Sequence, residues 1–186
     1  MAKILVINDH PDLKQSQSNR LILAELERHF GAQIEVRRLS ELYPDFHIDV
    51  AAEQAALLKA EVVLLQYPTH WFNLPARLQK WLADVWVFGF AYGRNGSQLQ
   101  GKKLLASTTT GSPASVYDGQ TAPHISELAK PVEASARYAG FHWQGIEALH
   151  GALYIPGMHS DADLERVQRQ ARDYAQRLAG KIEKLL

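Results

Sequence analysis

Lys3-Ile4-Leu5-Val6-Ile7-Asn8-Asp9-His10-Pro11, followed by Ser16-Gln17-Ser18-Asn19, is the stretch whose reading decides the fold. Its apolar run, closed by Pro11, reads as a buried strand. A polar loop comes next, and then a helical pattern on Ile22, Leu23, Leu26 and Phe30. At such a strand–loop–helix edge the first N–H groups of the helix are unpaired and its dipole is positive, which suits an anion. The loop lacks GxGxxG and GK[ST], so it is neither a dinucleotide fingerprint nor a Walker loop. Two readings stay open here: a cap supplied by Ser18 or Asn19, and a phosphate held by neutral hydroxyl and amide donors.

Working outward, residues 34–38 read as a second strand and Glu53–Lys59 as a short helix. A third strand covers Glu61–Gln66. Pro75 opens a helix carrying Leu78, Trp81, Leu82 and Val85. The fourth strand is Lys103–Thr108. A helix over Glu127–Tyr138 is bent or restarted at Pro131, the fifth strand is Phe141–Leu149, and a final helix starts near Asp161. Alternating elements with continuously apolar strands predict a parallel sheet covered on both faces. The expected fold is an α/β, flavodoxin-like three-layer sandwich, five parallel strands in the order 2-1-3-4-5. Residues 1–186 are expected to form one domain.

That order puts a ligand at the carboxyl ends of strands one, three and four. After strand three comes Tyr67-Pro68-Thr69-His70-Trp71-Phe72-Asn73-Leu74-Pro75. Tyr67, Trp71 and Phe72 cannot all face the core of so short a loop, and a flat apolar ring would explain them. A buried corner is the alternative. After strand four, residues 108–124 form a long loop, a length associated with function. Gly111 there lets a ligand approach the backbone. Tyr117 and His124 are its proton-handling side chains, with loop packing and a helix start as their plain structural roles. Val85–Gly93 is rich in aromatics and reads either as the end of a core helix or as a subunit contact that also shapes the pocket.

Twenty basic and twenty acidic residues balance, against nucleic acid or an acidic membrane as the main partner. No cysteine is present, which excludes disulfides, thiolate metal sites and a cysteine nucleophile; no metal ligand set stands out. The start shows no secretory pattern and no run reaches membrane-spanning length, so a cytoplasmic location is expected. A hydrolase is disfavoured because there is no GxSxG. Balanced charge counts against an electron-carrier flavodoxin.

Taken together, the chain resembles the NAD(P)H:quinone oxidoreductase family of flavodoxin-like proteins, the DT-diaphorase type. Within it the chain is similar to the bacterial ancillary subunits of glutathione-gated potassium-efflux systems. The resemblance rests on His10-Pro11 with Ser16–Asn19, Leu42–Asp49 with Glu53-Gln54, Pro68–Trp71, Leu78–Leu82, Gly89–Gly93 and Thr109–Gly111. It implies a homodimer with flavin sites at the interface. It also implies ping-pong hydride transfer from NAD(P)H through the flavin to a quinone, and a potassium/proton antiporter partner at the inner face of the membrane. FMN is the expected cofactor, with FAD as the alternative. By resemblance His10, Ser16, Gln17, Ser18 and Asn19 contact the phosphate and ribityl region. Pro68, Thr69, His70 and Trp71 line the ring, and Thr109, Thr110, Gly111 and Ser112 hold its pyrimidine edge. Tyr117 and His124 are the catalytic candidates. Ser112 departs from the family's second glycine, and His124 is offset from the family's histidine.

Overall fold

The computed structural model describes residues 3–94 and 97–186. Five strands pair in parallel in the order β2-β1-β3-β4-β5. They are β1 (Ile4–Asn8), β2 (Ile34–Arg38), β3 (Val62–Pro68), β4 (Lys103–Thr109) and β5 (His142–Leu149). The helices are α1 (Asn19–Phe30), α2 (Leu39–Leu42), α3 (Val50–Lys59), α4 (Ala76–Val85), α5 (Ile125–Leu128), α6 (Lys130–Tyr138) and α7 (Asp161–Glu183). This is the expected flavodoxin-like three-layer arrangement.

Side chains alternate across a strand, so the central strands feed two cores. Leu5, Ile7, Val63 and Leu65 pack with Trp81, Val85 and Phe141 on one face. Ile4, Val6, Val62 and Leu64 pack with Leu23, Leu26, Tyr174 and Leu178 of α1 and α7 on the other. Burial on both sides explains why the strands read as unbroken apolar runs. The register aligns Asn8 with Gln66 and Gln66 with Ser107, so the three central strands end at one edge of the sheet, β3 and β4 two residues beyond β1.

Several boundaries shift. α3 begins at Val50 rather than Glu53, because the Asp49 carboxylate accepts from Ala52 N–H at 3.0 Å and caps an earlier start. β3 runs on to Pro68, pairing with Thr109. The helix expected over Glu127–Tyr138 is two pieces, and Pro131 sits in the first turn of the second, where its missing N–H costs no helical bond. α7 starts on a capping box, with Ser160 Oγ accepting from Asp163 N–H.

A buried cluster fixes α3 to β2 and α4. The Glu53 carboxylate is fully buried. It accepts from Arg37 at 2.6 Å, from the Tyr43 hydroxyl at 2.6 Å and from Trp81 Nε1 at 2.9 Å. Burial first, and then the bond to Glu53, push the Tyr43 phenol up to about 12. A buried charge persists only when it is satisfied in this way.

Candidate functional site

Where the strands end, the core turns polar. Asn8, Asp9, Gln66, Thr108, Thr109 and Thr110 are all buried. Asn8 Nδ2 donates to Gln66 Oε1 at 2.5 Å and Gln66 Nε2 donates to Asn19 Oδ1 at 2.6 Å. Asn19 Nδ2 in turn donates to Thr109 Oγ1 at 3.0 Å. This chain of amides ties the start of α1 to the ends of β1, β3 and β4. Beside it, Asp9 accepts from Arg77 at 2.9 Å and from Leu78 N–H at 3.0 Å, anchoring the start of α4.

Above this floor lies a cleft of about 480 Å³, lined by residues 10–12, 15–19, 68–70, 109–111 and 152–154. The volume is in the usual range for small-molecule sites, roughly 300–1,000 Å³. It sits where the chain order reverses between β1 and β3, the ligand-binding crevice of open α/β sheets.

One end of the cleft is the start of α1. Neither Ser18 nor Asn19 caps it with a side chain: Ser18 has helical backbone angles and no side-chain cap bond. The Ser16 hydroxyl accepts from Asn19 N–H at 3.0 Å instead. The Ser18 hydroxyl donates to Ala152 O at 3.4 Å. α1 carries no acidic residue in its first turn, so its positive end faces the cleft unopposed from within the helix. His10 and His70 both line the cleft. His10 Nδ1 accepts from Asp12 N–H at 3.1 Å, which leaves Nε2 as the proton-bearing nitrogen of the neutral ring. Burial, and secondarily His70, hold His10 below its ordinary range. No lysine or arginine lines the cleft among the described residues.

The other end is built by the β4 exit and clamped by the β5 exit. Thr110 N–H donates to Leu149 O, Ala152 N–H to Thr110 O and Gly151 N–H to Ser112 O, each at 2.9 Å. Thr69 and Thr108 share a hydroxyl bond at 2.7 Å. The segment 152–154 and His150 were missed by sequence reasoning. The available signal was the pair His150-Gly151, a polar residue and a turn former directly after the last strand. Asp12 and Gln15 also join the cleft unforeseen.

Of the residues singled out from the sequence, His10, Ser16, Gln17, Ser18, Asn19, Pro68, Thr69, His70, Thr109, Thr110 and Gly111 converge on the cleft. Trp71, Ser112, Tyr117 and His124 lie outside its lining. Trp71 is 90 % exposed at the tip of a tight turn, closed by paired backbone bonds between His70 and Asn73. Both Trp71 (φ 46°) and Phe72 (φ 63°) take left-handed backbone angles there. Tyr67 points into the core, as the crowding of this loop requires. Tyr117 packs 5.1 Å from the His150 ring and 6.4 Å from Phe72. His124 Nδ1 lies 3.0 Å from Tyr117 O. Its ring covers Gly119, where an added Cβ would fall 2.8 Å from Nε2.

The family model for the flavodoxin-like fold matches residues 2–178. The chain belongs to the flavodoxin-like fold family. Among relatives in this family, the glutathione-regulated potassium-efflux system ancillary protein KefF of Klebsiella pneumoniae (strain 342) is 41 % identical over 175 residues, 94 % of each chain. The KefF protein of Enterobacter sp. (strain 638) is 39 % identical over the same length. The general stress protein 14 of Treponema denticola, solved in complex with FMN, is 31 % identical with a TM-score of 0.83, covering 96 % of this chain and 99 % of its own. An NADPH-quinone reductase from P. pentosaceus is 27 % identical with a TM-score of 0.76, covering 95 % and 97 %.

Proposed function

We propose that this chain is a flavoprotein oxidoreductase that holds FMN in the cleft and reduces quinones at the expense of NAD(P)H. The cleft itself carries the reading: neutral donors at a helix start form one end and backbone groups of a clamped loop form the other. The donor set fits the group. A terminal phosphate suits the Ser16–Asn19 turn, where hydroxyls, amides and the helix dipole supply the stabilisation without a fixed cation. A ring suits the walls at Pro68–His70, Gly111 and Leu153. The FMN-bound relative from Treponema denticola supports this cofactor, with FAD as the alternative. When bound, the flavin would supply two-electron chemistry between nicotinamide and quinone.

The protein's share is to bind, orient and handle protons. With the Thr110 N–H engaged by Leu149 O, the backbone N–H of Gly111 would stabilise negative charge at the pyrimidine edge. A quinone oxygen gaining electrons needs a proton, and a positioned acid typically contributes about 10²–10⁴ in rate. Tyr117 is the first candidate and His124, which touches the Tyr117 carbonyl, the second. Tyr117→Phe is expected to slow reduction or reoxidation in stopped flow while the protein keeps its flavin; unchanged rates in both half-reactions would remove the phenol from the mechanism. The first test is simpler. The purified protein should be yellow, release FMN by mass spectrometry and oxidise NAD(P)H with a quinone. A colourless chain that takes up neither FMN nor FAD would sink the reading.

A second reading is favoured by the KefF relatives: an ancillary subunit of a potassium/proton antiporter, with the flavin structural or sensory, located at the membrane's inner face through that partner. No helix among the described residues is long and apolar enough to cross a membrane, so attachment would be through the transporter. Binding to antiporter-containing vesicles, with and without loaded flavin, discriminates the two. In both readings the functional unit is a homodimer with the cleft at its interface.

A further inference from the structure

We propose that His150 is a positioning residue for the ring end of the cleft: its Nδ1–H fixes the Thr110 hydroxyl while its ring face seats Tyr117. The inference rests on the flavoprotein reading above for its functional meaning, and on the following geometry for its physical content. His150 directly follows β5. Its Nδ1 lies 2.9 Å from Thr110 Oγ1. That hydroxyl lies 2.8 Å from Ser112 O. A carbonyl can only accept, so the hydroxyl's one proton goes to Ser112. Both contacts are satisfied together only if the imidazole donates from Nδ1. Nε2 is then the free acceptor of the neutral ring. Burial holds His150 below its ordinary range, so the neutral ring prevails and its tautomer matters.

The relay His150 to Thr110 to Ser112 runs beside two backbone bonds. Gly151 N–H meets Ser112 O and Ala152 N–H meets Thr110 O. The backbone bonds set the path of the loop, and the side-chain relay fixes the hydroxyl of Thr110, a residue that lines the cleft. The other face of the same imidazole lies 5.1 Å from the Tyr117 ring with a 41° tilt. Tyr117 is otherwise held by an edge contact with Phe72 and through its carbonyl by His124. One side chain thus links the residue expected at the pyrimidine edge to the phenol expected to give the proton. The neighbours on the elements around it are Thr110 on the β4 exit and Tyr117 on the following loop; no charged group contributes to its shift.

The test uses the full chain. ¹⁵N-histidine NMR, without and with FMN, should show His150 as the Nδ1–H tautomer, and Thr110→Val should release that preference. FMN titration and steady-state quinone reduction then compare His150→Leu with His150→Asn, whose amide nitrogen stands near the position of Nδ1. His150→Leu is expected to lose roughly tenfold in kcat, more than it changes KM for the nicotinamide. His150→Asn is expected to recover most of the FMN affinity, and less of kcat because no ring seats Tyr117. An Nε2–H tautomer in the wild type overturns the proposal, as does a His150→Leu protein equal to wild type in FMN affinity and kcat. If the wild type takes up no flavin, the flavoprotein reading falls separately, and the tautomer result alone upholds or overturns the hold on Thr110.

Discussion

His10 shows how one side chain sets opposite trends in the empty and the loaded protein. Burial and His70 lower its folded pKa below the ordinary 6.5. The unfolded chain therefore takes up the proton at higher pH than the folded chain does, and stability falls as pH drops through 6.5 toward the folded value. His150 acts in the same direction through burial. The melting temperature of the flavin-free protein should be flat between about pH 7 and pH 9 and fall toward pH 5. His10→Gln should shrink that fall, and an unaltered profile would exclude His10 as its source. A phosphate bound beside His10, as proposed, would favour the protonated ring, so FMN affinity measured by calorimetry should rise over the window in which the empty protein weakens. Gly111 is the second informative residue. An added Cβ would meet Leu153 at 3.6 Å, an ordinary contact, and its backbone angle is not left-handed. Gly111→Ala should therefore change stability by less than about 0.5 kcal/mol. The same methyl intrudes where a ring edge would approach, so FMN binding should weaken by roughly tenfold. A Gly111→Ala protein that binds FMN like wild type would place the ring elsewhere.

At the scale of elements, α3 is held by charge satisfaction more than by its apolar content. Glu53→Gln leaves Arg37 with only the longer 3.7 Å contact to Glu35 and weakens the bonds to Tyr43 and Trp81. Breaking such a buried pair is expected to lower unfolding stability by roughly 3 kcal/mol in urea titrations. The Tyr43 phenol, pushed up to about 12 in the intact protein, should titrate closer to its ordinary value in the variant, which phenolate absorbance would read. A stability within error of wild type would mean that α3 is anchored elsewhere. The elements also show what was legible in sequence. The central strands β1, β3 and β4 could be read because burial on two faces leaves a largely apolar run, whereas the half-buried β2 and β5 carry polar residues and were legible from their place in the alternation of strands and helices. α2 could not, because four residues carry no period and its place is set by packing of Leu39 under the sheet edge. Three sides of the cleft, at Ser16–Asn19, Pro68–His70 and Thr109–Gly111, were legible because parallel strands in known order must end at one edge. The fourth, at 152–154, was not: it reaches the cleft only because Gly151 and Ala152 bond back to the loop after β4. The left-handed pair Trp71 and Phe72 was equally hidden, since nothing in a tryptophan or a phenylalanine favours positive φ. Its persistence at an estimated 1–3 kcal/mol per residue marks a turn held for what it presents.

For the whole molecule, the uneven placement of aromatics is informative. In the segment after α4, Phe90 and Ala91 enter the core, while Phe88 is 68 % exposed. Phe88 packs edge-on against Tyr92 at 5.9 Å, and Tyr92 lies 5.6 Å from Tyr138, itself 74 % exposed. Clustered exposed aromatics are the composition of an interface centre. In the proposed dimer this patch meets the partner, and Phe88→Ser with Tyr138→Ser should convert the light-scattering mass from two chains to one with the circular dichroism spectrum retained. A monomeric wild type would remove the patch from that role. The segment after β5 spans the cleft from one end to the other. It bonds through Ala152 O to Ser18 at one end of the cleft and through Ala152 N–H to Thr110 at the other. The two ends cannot loosen independently. In hydrogen exchange the amides of Thr110, Gly151 and Ala152 should open as one cooperative unit, and any ligand grasped at either end should slow all three together, so that this short strap reports occupancy of a cleft it only borders.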